Sequence, residues 1–170
     1  MAIIKSVRGF EPKFGKDCFF AENSAIIGDV IMGDSCSIWF SAVLRGDVNS
    51  IRIGNNVNIQ DNASLHTLYK KSTIEIGDNV SVGHNAVIHG AKINNNVLVG
   101  IGAIVLDDVE IGENTIIAAG AMVKSGTKVE ANSIYAGVPA KKVKDIEPSQ
   151  TKEMINKIAN NYSMYASWYK

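Results

Sequence analysis

The sequence lacks any excess of charge that would draw it to a polyanion. Its 17 Lys plus Arg balance 17 Asp plus Glu over 170 residues, and no basic run is interleaved with aromatics. Nucleic acid and anionic membrane surfaces are therefore poor partners. No apolar stretch approaches the roughly 18 residues needed to cross a bilayer. The opening MAIIKSVRGF has neither the charged segment nor the long apolar run of a secretory signal, so a cytoplasmic location is expected. Only two cysteines occur, Cys18 and Cys36, with no CxxC pattern, and they read as reduced, packed thiols. The length suits one core-forming domain with a short appendage and is too small for two ordinary domains.

Amphipathic helix is scarce as well. Residues 20–140 are rich in Ile, Val, Gly, Asn and Asp, with few Leu and almost no helical stripe. A repeat organises them. Ile93, Val99, Val105, Ile111, Ile117, Val123, Val129 and Tyr135 recur at intervals of six. The same step links Met32, Ile38 and Leu44, then Ile53, Ile59 and Leu65, then Ile76, Val82 and Ile88. A period of six implies a short strand and a sharp corner, with one large side chain per hexad pointing inward. The Gly, Asn, Asp and Ala residues of IGDNVS, VGHNAV, INNNVL and IGENTI provide the bends. Three hexads close a coil, coils stack at about 4.8 Å, and stacking supplies a core that no single coil has. This predicts an all-β parallel solenoid over residues 1–140.

The interruptions are informative too. Leu65 and Ile76 are eleven positions apart, which places an outward loop of about five extra residues in HTLYKKSTIE. From Ile88 to Ile93 the step is five, and between Leu44 and Ile53 the corners are not assignable. Residues 141–148 read as a linker. A helix is expected over 149–170, capped by Ser149 with Glu153 in its early turns, and packed along the solenoid. Ile155, Ile158, Tyr162, Tyr165 and Tyr169 form its apolar face.

The three histidines, His66, His84 and His89, all fall within 24 residues. His66 follows inward Leu65, and His89 follows inward Ile88. Their 23-residue separation is one 18-residue coil plus the five-residue insertion. That arithmetic stacks them on one face, about 5 Å apart, close enough for both to reach one metal at about 2.0–2.1 Å. His84 lies around a corner and is better placed to meet a neighbouring subunit.

LRGD at Leu44–Asp47, NIQDN at Asn58–Asn62, His66 after Leu65, and GHNAVIHG at Gly83–Gly90 occur in order. Together they resemble the γ-class carbonic anhydrases, in their shorter subclass, from about Gly9 to Ala140. The resemblance implies a left-handed parallel β-helix and a homotrimer. It implies Zn2+, with Fe2+ or Co2+ as alternatives, held by His66 and His89 of one subunit and His84 of the next. It further implies hydration of carbon dioxide to bicarbonate by metal-bound hydroxide. Gln60, with Asn58, would orient that hydroxide, Tyr162 would stand near it, and Asp61 would lie beside the site. Arg45 and an acidic partner would form an ion pair across subunits, with Asp47 close by. The best-characterised branch has a glutamate after the RGD aspartate and an acidic loop beyond its first histidine. Here Val48, Asn49 and TLYKK stand instead, so low activity is expected. The competing readings are a hexapeptide acyltransferase, which shares the GVPAK ending at Gly137–Lys141, and a metal-binding structural or assembly subunit.

Overall fold

Three inward columns form the core of the computed structural model, which describes residues 1–169. Leu44, Leu65, Ile88, Val105 and Val123 stack in register along the first. Ile38, Ile59, Val82, Val99, Ile117 and Tyr135 make the second. Met32, Ile53, Ile76, Ile93, Ile111 and Val129 make the third. All are buried, and each aliphatic member contributes about 1.5–3 kcal/mol by leaving water. The result is a parallel β-solenoid of about seven turns with one C-terminal helix. Its corners are held by a second ladder. Asn56, Asn79, Asn96, Asn114 and Asn132 all have φ near +55°, a conformation asparagine tolerates better than most residues. Their amides bond coil to coil at 2.9, 3.3, 3.2 and 3.0 Å.

The irregular stretch at Leu44–Ile53 resolves into one long strand, Val43–Ile53, that turns from one face onto the next. Gly28 pairs with Gly46 and Val30 with Ile51, so five steps face two and three extra residues bulge out. Two faces thereby join in a 12-stranded sheet, while the third is an 8-stranded sheet. The residues between strands Ser64–His66 and Ile74–Ile76 form the expected outward loop. Cys18 and Cys36 are free.

The C-terminal region departs from the sequence reading in three ways. Within the expected linker 141–148, Lys141–Asp145 is a strand, paired antiparallel to Ser133–Ala136. It covers the open edge of the last coil and carries the charge that discourages further pairing. The helix spans Pro148–Ser167, with Glu147 as N-cap and no side-chain cap bond, so Ser149 lies inside the first turn. Pro148 explains the shift, because its fixed φ suits the first helical position and its missing N–H costs nothing there. Thr151, Ile155, Ala159 and Ala166 are the buried residues of the helix. Its expected face of large residues is therefore rotated, since a helix lying close on a sheet makes its nearest approach through small side chains. Ile158, Tyr162 and Tyr165 flank the contact, and Tyr169 lies beyond the helix end. The helix packs on strands Ser81–Val82 and Ser37–Ile38, and Ala166 reaches a cluster with Phe19, Ala21 and Trp39 in the first coils.

Candidate metal centre

The site residues fall into two groups on different corners of the prism. In the first, His66 and His89 end strands that pair in register, residue against residue. Their rings stand 5.3 Å apart, centroid to centroid. Asp107, on the next coil, accepts a hydrogen bond from His89 Nδ1 at 2.8 Å. Asp107 Oδ1 accepts another from Ser72 Oγ at 2.6 Å. Burial works to raise the Asp107 carboxyl, but the hydrogen bonds from Ser72 and His89 outweigh it and hold it below its ordinary range. His66 Nε2 lies 3.1 Å from Asp47 Oδ1. Burial, and then the positive charge of Arg45, push the His66 pKa down, which favours the neutral ring. Asp47 is also held low: burial opposes this, and the bonds from Arg45 and His66 prevail.

Arg45 Nη1 sits 2.7 Å from Asp47 Oδ2. Within the chain, Arg45 and Asp47 thus pair with each other. The reason is the strand period of two, which puts residues 45 and 47 on the same face.

The second group gathers at the corner where Asn85 adopts φ +58°. His84 precedes that residue, with Nδ1 2.8 Å from Asp61 Oδ2. Asp61 is itself held by the Phe40 backbone N–H at 3.2 Å. The Tyr162 hydroxyl lies 3.3 Å from His84 Nε2, its ring edge-on to Trp39 at 5.2 Å. Burial, and then the negative charge of Asp61, push the Tyr162 phenol up to about 12, so it remains a donor at neutral pH. Gln60 and Asn58 are buried. Gln60 Nε2 donates to Asn58 Oδ1 at 3.0 Å, and Asn58 Nδ2 donates to Ser81 Oγ at 2.7 Å. Gln60, His84 and Tyr162 line a groove of about 430 Å³ whose other walls include Leu98, Ile116 and Ile158. A larger groove of about 570 Å³, along Ile31, Arg52, Glu75 and Lys92, contains no histidine, so volume alone would misplace the site.

Within one chain His84 does not join the other two histidines. Among the described residues, no set of three or more His, Cys, Asp or Glu side chains is placed to hold a metal ion. The donor chemistry nevertheless fits one. His84 and His89 each have Nδ1 tied to a carboxylate, the arrangement that fixes tautomer and ring orientation in histidine metal ligands. Sequence reasoning missed Asp107 and Ser72. The available signal was position: Asp107 stands 18 residues, one coil length, beyond His89.

Residues 90–125 match the bacterial transferase hexapeptide (six repeats) model. The chain is 40% identical to a carbonic anhydrase of Geobacillus kaustophilus, over 99% of this chain and 91% of that one. The chain belongs to the γ-class carbonic anhydrase-like family. Within it, the mitochondrial gamma carbonic anhydrase 2 of Arabidopsis thaliana is 40% identical over 89% of this chain and 56% of its own length. A solved Bacillus cereus structure, named as an acetyltransferase, superposes with a TM-score of 0.92 at 36% identity, covering 99% of this chain and 96% of that one. The fold expected of this γ-class-like chain, a parallel β-helix of hexapeptide repeats with a C-terminal helix, is the one observed.

Proposed function

We propose that this protein reversibly hydrates carbon dioxide to bicarbonate at a Zn2+ site shared between subunits of a homotrimer. The observation that carries the reading is the separation of the histidines. One corner offers a stacked pair, another offers a single ring, and each is incomplete alone. In the proposed trimer, a rotational repeat of the chain would bring the two corners face to face.

His66, His89 and the neighbouring subunit's His84 would hold the ion, with Fe2+ or Co2+ as substitutes. Bound there, it supplies a Lewis-acidic centre able to acidify water near neutral pH. Asp107 and Asp61 fix the rings they bond. Gln60 gives its N–H to Asn58, which leaves its carbonyl oxygen to accept from, and so orient, the attacking water. Tyr162 adds a hydroxyl donor beside His84, and the apolar groove wall suits an uncharged substrate better than its anionic product. Stopped-flow hydration of carbon dioxide by zinc-loaded protein tests the reading: catalysis above the buffer rate supports it, and its absence removes it. The solved relative named as an acetyltransferase favours a second reading, acetyl transfer, which acetyl-CoA turnover without added metal would reveal.

A further inference from the structure

The loop at residues 67–72 interrupts the repeat beside His66, yet its hydrogen bonds lead to His89. Asn49 Nδ2 donates to the Leu68 carbonyl at 2.9 Å and to the Ser72 carbonyl at 2.8 Å, which ties both ends of the loop to the long strand. The Leu68 N–H donates to Ser72 Oγ at 2.9 Å. The single hydroxyl proton of Ser72 goes to Asp107 Oδ1, and Oδ2 of the same carboxylate takes the hydrogen bond from His89 Nδ1. An ionised carboxylate only accepts. His89 Nδ1 therefore carries a proton, and in the neutral ring this leaves the lone pair on Nε2.

Two further observations show that the chain accommodates this connection. Ser72 is 4% exposed, so water does not compete for its hydroxyl. Gly90, immediately after His89, has φ +61°, and a Cβ there would overlap both Ser72 Oγ and Asp107 Oδ1. The backbone passes at that point only because it has no side chain. By contrast, the carboxylate partner of His66 is held by Arg45 on its own strand, with no bond to the loop.

We propose that the loop is a positioning element for His89. Asn49 holds the loop, Ser72 holds Asp107, and Asp107 sets the His89 ring so that Nε2 is the nitrogen offered to a metal. This rests on the reading of His89 as a ligand, and it makes Asn49, Ser72 and Asp107 positioning residues for that ligand.

The test reads the tautomer directly, without metal. In zinc-free protein with 15N-labelled histidine, at a pH where the ring is neutral, long-range 1H–15N spectra should show wild-type His89 protonated on Nδ1. Ser72→Ala removes one oxygen and should shift His89 toward a mixture of tautomers. Asn49→Ala should do the same more weakly. Zinc affinity, measured separately by competition with a chelator, should fall about tenfold in Ser72→Ala and up to about 100-fold in Asp107→Ala. A loop that is merely structural would lower the melting temperature of these variants and leave tautomer and zinc affinity alone. A wild-type His89 tautomer in both Ser72→Ala and Asn49→Ala overturns the proposal, whether or not zinc binds. If wild-type protein binds no zinc but its tautomer responds to Ser72→Ala, the metal reading fails and the positioning role stands.

Discussion

The two histidine corners are built by opposite means. The corner of His66 and His89 lies where the repeat is broken: three extra residues follow Gly46, a loop follows His66, and the step after Ile88 is short. Those departures supply Asp47, Asn49 and Ser72, which tether the carboxylates and the loop around the two rings. The corner of His84 instead lies on regular coils, where Asp61 and His84 occupy equivalent turn positions before Asn62 and Asn85. Its distinctive partner, Tyr162, comes from the C-terminal helix. A solenoid thus gains a site either by disturbing its repeat or by laying a separate element against an undisturbed one. This chain does both, on separate corners.

The largest effect should come from removing a ligand on either side. His89→Ala and His84→Ala should each weaken zinc binding by more than about 100-fold, beyond what loss of an outer partner costs. If the ion bridges subunits as proposed, either variant removes the same bridge, and both should shift the assembly toward smaller species in light scattering. If both variants keep zinc at wild-type stoichiometry, the two corners do not form one site. Gln60→Ala should come next, with zinc retained and hydration slowed about tenfold or more, roughly 1.4 kcal/mol of barrier. Loss of zinc in that variant would move Gln60 from the water to the metal. Tyr162→Phe should have the smallest effect, a several-fold loss of rate with stability changed by about 1 kcal/mol or less. It keeps the ring that packs on Trp39 and Tyr165 and removes only the hydroxyl. An unchanged rate would leave Tyr162 as part of the packing.

The legibility of these corners in the sequence follows the same division. Where the chain repeats, spacing reports position, so the three inward columns could be read by counting, and the pairing of His66 with His89 followed once the five-residue insertion was added to one coil. Once the chain leaves the repeat, counting loses its reference. Ser72 reaches Asp107 across 35 residues through a loop whose path no periodicity describes. At the C-terminus, local helix signals were strong but ambiguous: Pro148 outcompeted Ser149 for the start, and small residues outcompeted tyrosines for the contact. Both outcomes depend on how closely the helix sits on the sheet, which only the packed structure determines.

The shared site can be tested by complementation between defective chains. His84→Ala subunits keep the His66 and His89 corner, while His89→Ala subunits keep the His84 corner. Each variant alone should bind almost no zinc. Unfolded together in equal amounts and refolded, they should assemble mixed trimers in which roughly a quarter of interfaces, by random assortment, join two intact corners. Zinc content of the purified trimer should then rise to about a quarter of the wild-type value, with hydration activity following it. Mixed trimers, verified by mass, that hold no more zinc than either variant alone would contradict a site built between subunits.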